Sequence, residues 1–330
     1  MGIIGTANVS RSFIEVLKES ATIKITAVAS RSFEKAHLFS QEFGIEKAYA
    51  SYQELLDDPQ IDAVYIPLPN SLHAEWVIKA AQAKKHILCE KPIALKVEDV
   101  KEMYEEAIKN NVFLMEGYPY KFQPQTILML KMIQDGIIGE VAQIYADFGF
   151  TVDDAENNIR LKPELGGGVM WDAGAYPVSI IRAVTGQKPR EILAFGKLNN
   201  HDLDTAVAAM FRFENGITAQ LNCNFNAAPH RHVRVIGSKG IITAGYNNIT
   251  KANTAFIEIK RDLDWNYELE KIEVPYGSGL LFEAETFVDQ IKNYNKEKQI
   301  LAMNEAIDNT ATILDILNII KKNNKENISL

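Results

Sequence analysis

The sequence predicts an α/β fold in two domains. Residues 1–118 build on a parallel sheet, and residues 119–330 form an α+β domain with a large, open, mostly antiparallel sheet. Three observations predict this. At 330 residues the chain is too long for one ordinary domain. Up to about residue 118, short apolar strands alternate with amphipathic helices, the rhythm of a parallel sheet with right-handed crossovers. Beyond that point longer segments alternate with a period of two and meet at hairpin turns.

The strands of the first part are Gly2–Ile4, Ile23–Ala29, Ala63–Ile66, His86–Cys89 and Val112–Glu116. Helices lie between them near Ser10–Glu19, Phe33–Phe43, Leu72–Ala83 and Val97–Lys109. In the last of these Val97, Val100, Tyr104, Ala107 and Ile108 recur at helical spacing. The second part opens with helices near Gln125–Gln134 and Ala175–Val184. Val207, Ala209, Phe211 and Phe213 then share one strand face, Asn215-Gly216 makes a hairpin turn, and Ile217, Ala219, Leu221, Cys223 and Phe225 return. A second hairpin joins Val233–Ile236 to Ile241-Ile242 through Gly237-Ser238-Lys239-Gly240. Helices near Leu281–Tyr294 and Met303–Lys321 close the chain.

Composition narrows the function. Hydrophobic residues make up 47% and charged residues 24%, an ordinary globular mixture. A net charge of −8 argues against a nucleic-acid partner, which needs a basic face. Two cysteines in this length fit a reducing, cytoplasmic setting rather than a disulfide scaffold. The six histidines lack metal-ligand spacing, so no metal is expected. No secretory signal is expected, and the apolar run Ile313–Ile320 carries Asp315 and is too short to span a bilayer, so no membrane partner is expected either. Met1-Gly2-Ile3-Ile4-Gly5-Thr6 matches an N-myristoylation pattern, but reads better as a first strand entering a glycine turn.

Ligands of parallel sheets sit beyond the carboxyl ends of the strands, so the residues after each strand carry the chemistry. The first strand runs into Gly5-Thr6-Ala7-Asn8-Val9-Ser10. Only the first glycine of a dinucleotide fingerprint is present, with Ala7 and Ser10 in place of the others. The physical need is a sharp turn that aims a helix N-terminus at a pyrophosphate, and small residues permit that. The next strand ends Ala29-Ser30-Arg31-Ser32. A carboxylate that would hold the ribose 2′-hydroxyl of NAD is missing, and a hydroxyl beside a guanidinium suits the 2′-phosphate of NADP instead. Further on, Pro67-Leu68-Pro69-Asn70 precedes Ser71-Leu72-His73, which places Asn70 and His73 over the nucleotide, with Ser71 as a helix cap. Cys89-Glu90-Lys91-Pro92 then holds a lysine at a strand end, next to the nicotinamide.

These motifs, with Gly166-Gly167-Gly168 and Asp172-Ala173-Gly174-Ala175-Tyr176-Pro177, occur in an order that closely resembles the glucose–fructose oxidoreductase/inositol dehydrogenase (Gfo/Idh/MocA) family. The resemblance covers residues 1 to about 240 through its motifs and the remainder by overall plan. It implies an N-terminal Rossmann domain and an open-sheet domain through which the chain forms a homodimer or homotetramer. It also implies that Lys91 is the catalytic lysine and Tyr176 the proton donor/acceptor of the tyrosine branch, which includes xylose and dihydrodiol dehydrogenases. In the inositol branch a histidine stands at that place. Asp172 lies four residues before Tyr176 and can face the same substrate. The implied cofactor contacts are Gly5, Thr6, Ala7, Asn8, Val9, Ser30, Arg31, Pro67, Leu68, Asn70, His73, Glu90 and Lys91.

The chemistry is coherent without the family name. Tyrosine, with an ordinary pKa near 10, is a poor base at neutral pH, and a neighbouring ammonium favours its phenolate. Tyr120, Lys121 and Gln123 join Lys91, Asp172 and Tyr176 as substrate contacts, although nucleotide-sugar ketoreductases of the family carry Arg and His where Lys121 and Gln123 stand. His230, His232 and Arg234 share one side of a strand, facing solvent, a subunit or an anionic substrate. The expectation is an NADP-dependent oxidoreductase for a small carbohydrate-like substrate. The alternatives are a dehydrogenase of cyclic non-sugar diols and a non-catalytic nucleotide sensor on the same fold.

Overall fold

The computed structural model describes residues 1–153, 158–245, 255–261, 263–265 and 268–328. Two units divide them: Met1–Pro119 with Leu280–Ile307, and Tyr120–Gly279 with Asp308–Leu330.

The first unit is a doubly wound sheet. In chain order it comprises β1 (Gly2–Ile4), α1 (Asn8–Leu17), β2 (Ala27–Ala29), α2 (Phe33–Phe43), β3 (Lys47–Tyr49), α3 (Tyr52–Asp57) and β4 (Ala63–Ile66). Then follow α4 (His73–Gln82), β5 (His86–Glu90), α5 (Val97–Lys109) and β6 (Leu114–Gly117). All six strands are parallel, in the order β3-β2-β1-β4-β5-β6. Successive residues of each strand go to opposite cores, so both faces are buried and the strands read as continuous apolar runs. Ile3, Val28, Tyr65 and Leu88 pack with Phe13 and Phe39 on one side, and Ile4, Ala29, Val64 and Ile87 pack with Leu55, Val77 and Met103 on the other. The chain winds outward from β1 in one direction and from β4 in the other. The crevice for a ligand therefore opens at the carboxyl ends of β1 and β4.

Residues 280–307, which the sequence reading grouped with 119–330, contribute to these same cores. Ala284 and Phe287 of α8 (Gly279–Lys292) pack with Phe113, and Ala306 of α9 (Lys296–Ile328) packs with Leu114. Gln299 closes the open edge of β6. Its amide donates to the Leu114 carbonyl at 2.8 Å and accepts from the Leu114 N–H at 3.3 Å.

The second unit contains α6 (Pro124–Gln134), β7 (Val141–Gly149) and α7 (Ala175–Thr185). After these come β8 (Glu191–Leu198), β9 (Asp204–Arg212), β10 (Thr218–Asn224), β11 (His230–Gly237), β12 (Gly240–Ala244), β13 (Ala255–Lys260) and β14 (Glu270–Val274). The eight strands run in the order β14-β13-β12-β11-β7-β10-β9-β8. All neighbours are antiparallel except β7 and β10. Ala209, Phe211, Leu221, Cys223, Val233 and Val235 alternate onto the buried face. The opposite face leaves Leu193, Phe195 and Met210 exposed. Among the described residues, no helix is long and apolar enough to cross a membrane.

Candidate active site

The turn after β1 has the shape a pyrophosphate requires. Gly5 adopts φ +109, a left-handed conformation open to glycine, and its N–H donates to the Ala29 carbonyl at 2.9 Å. A side chain there would also press on Leu68, so the turns after β1 and β4 abut at this point. Ser10 is fully buried under the turn. Ala7, the N-cap of α1, offers no side-chain acceptor to the first-turn amides, which suits a helix end that receives an anion. Behind β2, Ser30 is buried, Ser32 caps α2 by accepting from the Lys35 N–H, and the Arg31 guanidinium lies near the Tyr52 phenol. No carboxylate stands at the end of β2. These residues fit NADP as well as the sequence reading expects.

Around Lys91 the structure reveals a clamp. Lys91-Pro92 is a cis peptide, and the chain that follows it is held from two directions. Glu116 accepts the Ile93 N–H at 2.9 Å through Oε1. His73 Nδ1 lies 2.8 Å from the Pro92 carbonyl oxygen, and its Nε2 lies 2.8 Å from that of Leu68. The His73 ring is fully buried, and burial pushes its pKa down against the two carbonyl contacts that favour its charge. This corrects the expectation that His73 lies over the nucleotide: it ties the two strand-end turns together from behind. Glu90 is engaged likewise, accepting from the Tyr65 hydroxyl at 2.6 Å. Asn70 opens a short 3-10 turn, Asn70–Leu72, so Leu72 rather than Ser71 takes the cap position of α4.

Tyr176 stands in the first turn of α7, in the second unit. Gly168, at φ +114, leads into it, and a side chain there would collide with the Asp204 carboxylate. Asp204 accepts the Met170 N–H at 2.7 Å, and burial raises its pKa. Residues Met170–Gly174 wind as one π turn before α7, so Asp172 and Tyr176 are not separated by a regular α-helical turn. Asp172 accepts from Arg160 Nε at 2.5 Å. The Tyr176 ring meets Phe148 edge-on at 5.3 Å and Tyr120 at 5.8 Å, and the Arg231 guanidinium lies 4.4 Å from its centroid.

Two expected substrate contacts have other duties. Tyr120 is fully buried and its hydroxyl donates to Ser179 Oγ at 2.7 Å, which makes it a support for Tyr176. Gln123, also buried, places its amide 2.9 Å from the Gly277 carbonyl and 3.2 Å from the Gly279 N–H. Lys121 is half-buried beside them. Alternation on β11 puts His230, His232 and Arg234 on the face away from α7, and His232 Nδ1 lies 3.7 Å from Asp147. Arg160, Glu116, Asp204 and Arg231 were not among the expected site residues, because only the fold brings each to its partner here.

Comparison with known proteins shows the family. A model of the GFO/IDH/MocA oxidoreductase family, NAD-binding Rossmann fold, matches residues 1–118, and a GFO/IDH/MocA C-terminal domain matches residues 127–243. An NADP+-dependent D-xylose 1-dehydrogenase from Haloferax volcanii is 32% identical over 243 residues, 74% of each chain. A trans-1,2-dihydrobenzene-1,2-diol dehydrogenase from Xenopus laevis is 31% identical over 320 residues, 95% of each chain. A crystal structure of a 3-ketoreductase from Actinomadura kijaniata, in complex with NADP and TDP-benzene, superposes with a TM-score of 0.85 at 25% identity over 94% of each chain.

Proposed function

Because the chain belongs to the GFO/IDH/MocA oxidoreductase family, we propose that it is an NADP-dependent oxidoreductase of a carbohydrate hydroxyl or ketone, a free sugar or a nucleotide-linked keto-sugar. The observation that carries this reading is the strand-end Lys91, whose following peptide is fixed by His73 and Glu116. A lysine whose backbone is anchored at the carboxyl end of β5 suits hydrogen bonding to a reacting hydroxyl.

The turn Gly5–Val9 would hold NADP(H), with Ser30 and Arg31 toward its 2′-phosphate, and the bound cofactor would supply or accept the hydride. Tyr176 donates a proton to the substrate oxygen when a ketone is reduced, and takes it back when an alcohol is oxidised. The Lys91 ammonium stabilises negative charge on that oxygen. Asp172, charge-paired with Arg160, orients the substrate beside Tyr176. The protein acts in the cytoplasm as a homodimer or homotetramer, assembled through the outer face of the eight-stranded sheet.

The test is a nicotinamide-absorbance panel of NADP+ or NADPH with D-xylose, other free sugars, polyols and a dTDP-linked keto-sugar. Turnover of at least one carbohydrate, lost in Tyr176→Phe while NADPH binding persists, is the expected result. Full turnover in Tyr176→Phe removes the tyrosine from the mechanism. The relative matched over 320 residues favours a second reading, oxidation of a cyclic non-sugar diol. Turnover of trans-dihydrobenzenediol but of no carbohydrate would select it.

A further inference from the structure

We propose that Arg231 is a positioning residue for Tyr176, holding its ring so that the phenol oxygen stands where proton transfer takes place. The inference rests on the reading of Tyr176 as the proton donor/acceptor. Strand register carries it. On β11, Arg231 shares the inward face with the buried Val233 and Val235 and pairs across to Phe148 of β7. Its guanidinium carbon lies 4.0 Å from the Phe148 centroid and 4.4 Å from that of Tyr176, while those two rings meet edge to face. Tyr120, anchored through Ser179, adds a third ring.

A cation packed against an aromatic face limits how far the ring can swing, and so fixes where the phenol oxygen stands. Arg231 Nε is shielded from solvent, and the guanidinium packs against both rings. A fixed cation beside the ring also stabilises negative charge that develops on the phenol oxygen as its proton leaves. Arg231 thus acts through Tyr176, not on the substrate.

The experiment is steady-state kinetics with NADPH or NADP+ and the panel compound turned over fastest, D-xylose being the default probe. Arg231→Met and Arg231→Lys are made in the wild-type protein and in Tyr176→Phe, and rates are read on protein that unfolds cooperatively. Arg231→Met lowers kcat about tenfold with KM within about twofold, and Arg231→Lys recovers about threefold of that loss. In the Tyr176→Phe background Arg231→Met changes the residual rate less than about twofold, because no phenol remains to be positioned. A rise in KM at unchanged kcat, a full loss repeated in the Phe background, or no recovery by lysine overturns the proposal. Undiminished turnover in Tyr176→Phe alone is a separate failure, that of the catalytic reading itself, and is scored without any change at Arg231.

Discussion

Glu116 accepts the N–H of Ile93 at 2.9 Å, and so fixes the peptide two residues after Lys91 from the neighbouring strand. Glu116→Ala leaves that donor without its partner, a cost of about 1–3 kcal/mol for a buried group. Glu116→Gln keeps an acceptor of the same reach. The expected outcome is a clear fall in kcat and in the urea midpoint for Glu116→Ala, and near wild-type values for Glu116→Gln. Equal behaviour of the two variants in both measurements would show that the clamp on Ile93 has no influence on Lys91.

Arg31 follows β2 and lies near the Tyr52 phenol, with Ser30 and Ser32 on either side. A charge-assisted contact from guanidinium to phosphate is worth roughly 1.5–3 kcal/mol, about ten- to a hundredfold in affinity. Arg31→Ala should weaken NADPH binding by about that factor and NADH binding by less than about threefold, read by quenching of protein fluorescence. Equal losses for the two nucleotides would place the 2′-phosphate elsewhere.

Much of this was legible in the sequence wherever the deciding interaction is local. The ends of α2 could be read because Ser32 caps its start and Gly44, at φ +68, its end. The glycine turn and the alternation of strands and helices are likewise local signals. β3 escaped because three half-buried residues have no period of their own and are strands only by pairing with β2. β8 escaped because Leu193 and Phe195 point outward and Ala194 inward, the reverse of the expected pattern. Tyr120 and Gln123 looked like ligand contacts because nothing in the sequence reveals Ser179, Gly277 or Gly279 as their partners. On β11 the alternation was correct, yet Arg231, the residue that meets the Tyr176 ring, lies on the other face. Only the position of α7 against the sheet singles out Arg231 over His230, His232 and Arg234.

Asp58 ties the edge of the parallel sheet together and makes its stability depend on pH. Its carboxylate accepts from Lys47 Nζ at 2.7 Å and from the Tyr49 hydroxyl at 2.6 Å, both on β3. The Lys47 hydrogen bond, then that of Tyr49, holds the Asp58 pKa far below the usual carboxylate range. Burial, with Asp58 adding to it, pushes Tyr49 up to about 12, so the phenol stays a donor. A depressed folded-state pKa contributes stability that is fully present above the unfolded value, near 3.9, and is lost as pH falls through the folded value. The stability gap between wild type and Asp58→Asn should therefore be constant from pH 7 to about 5 and shrink below about 4. Urea midpoints at several pH values measure it, and a gap independent of pH would deny Asp58 this role.

The outer face of the large sheet carries the last prediction. Leu193 is 66% exposed, Phe195 73% and Met210 53%. Register sets Leu193 opposite Met210 and Phe195 opposite Ala208, so these side chains form one continuous apolar patch on β8 and β9. Monomers seldom leave such patches on an edge strand open to water. Phe195→Glu puts a charge where a subunit contact would remove it from solvent, an unfavourable burial with no partner. Light scattering during gel filtration should give a multiple of 37.0 kDa for the wild type and a shift toward that single-chain mass for Phe195→Glu. A wild-type protein that elutes as a monomer at micromolar concentration would leave the patch without this explanation.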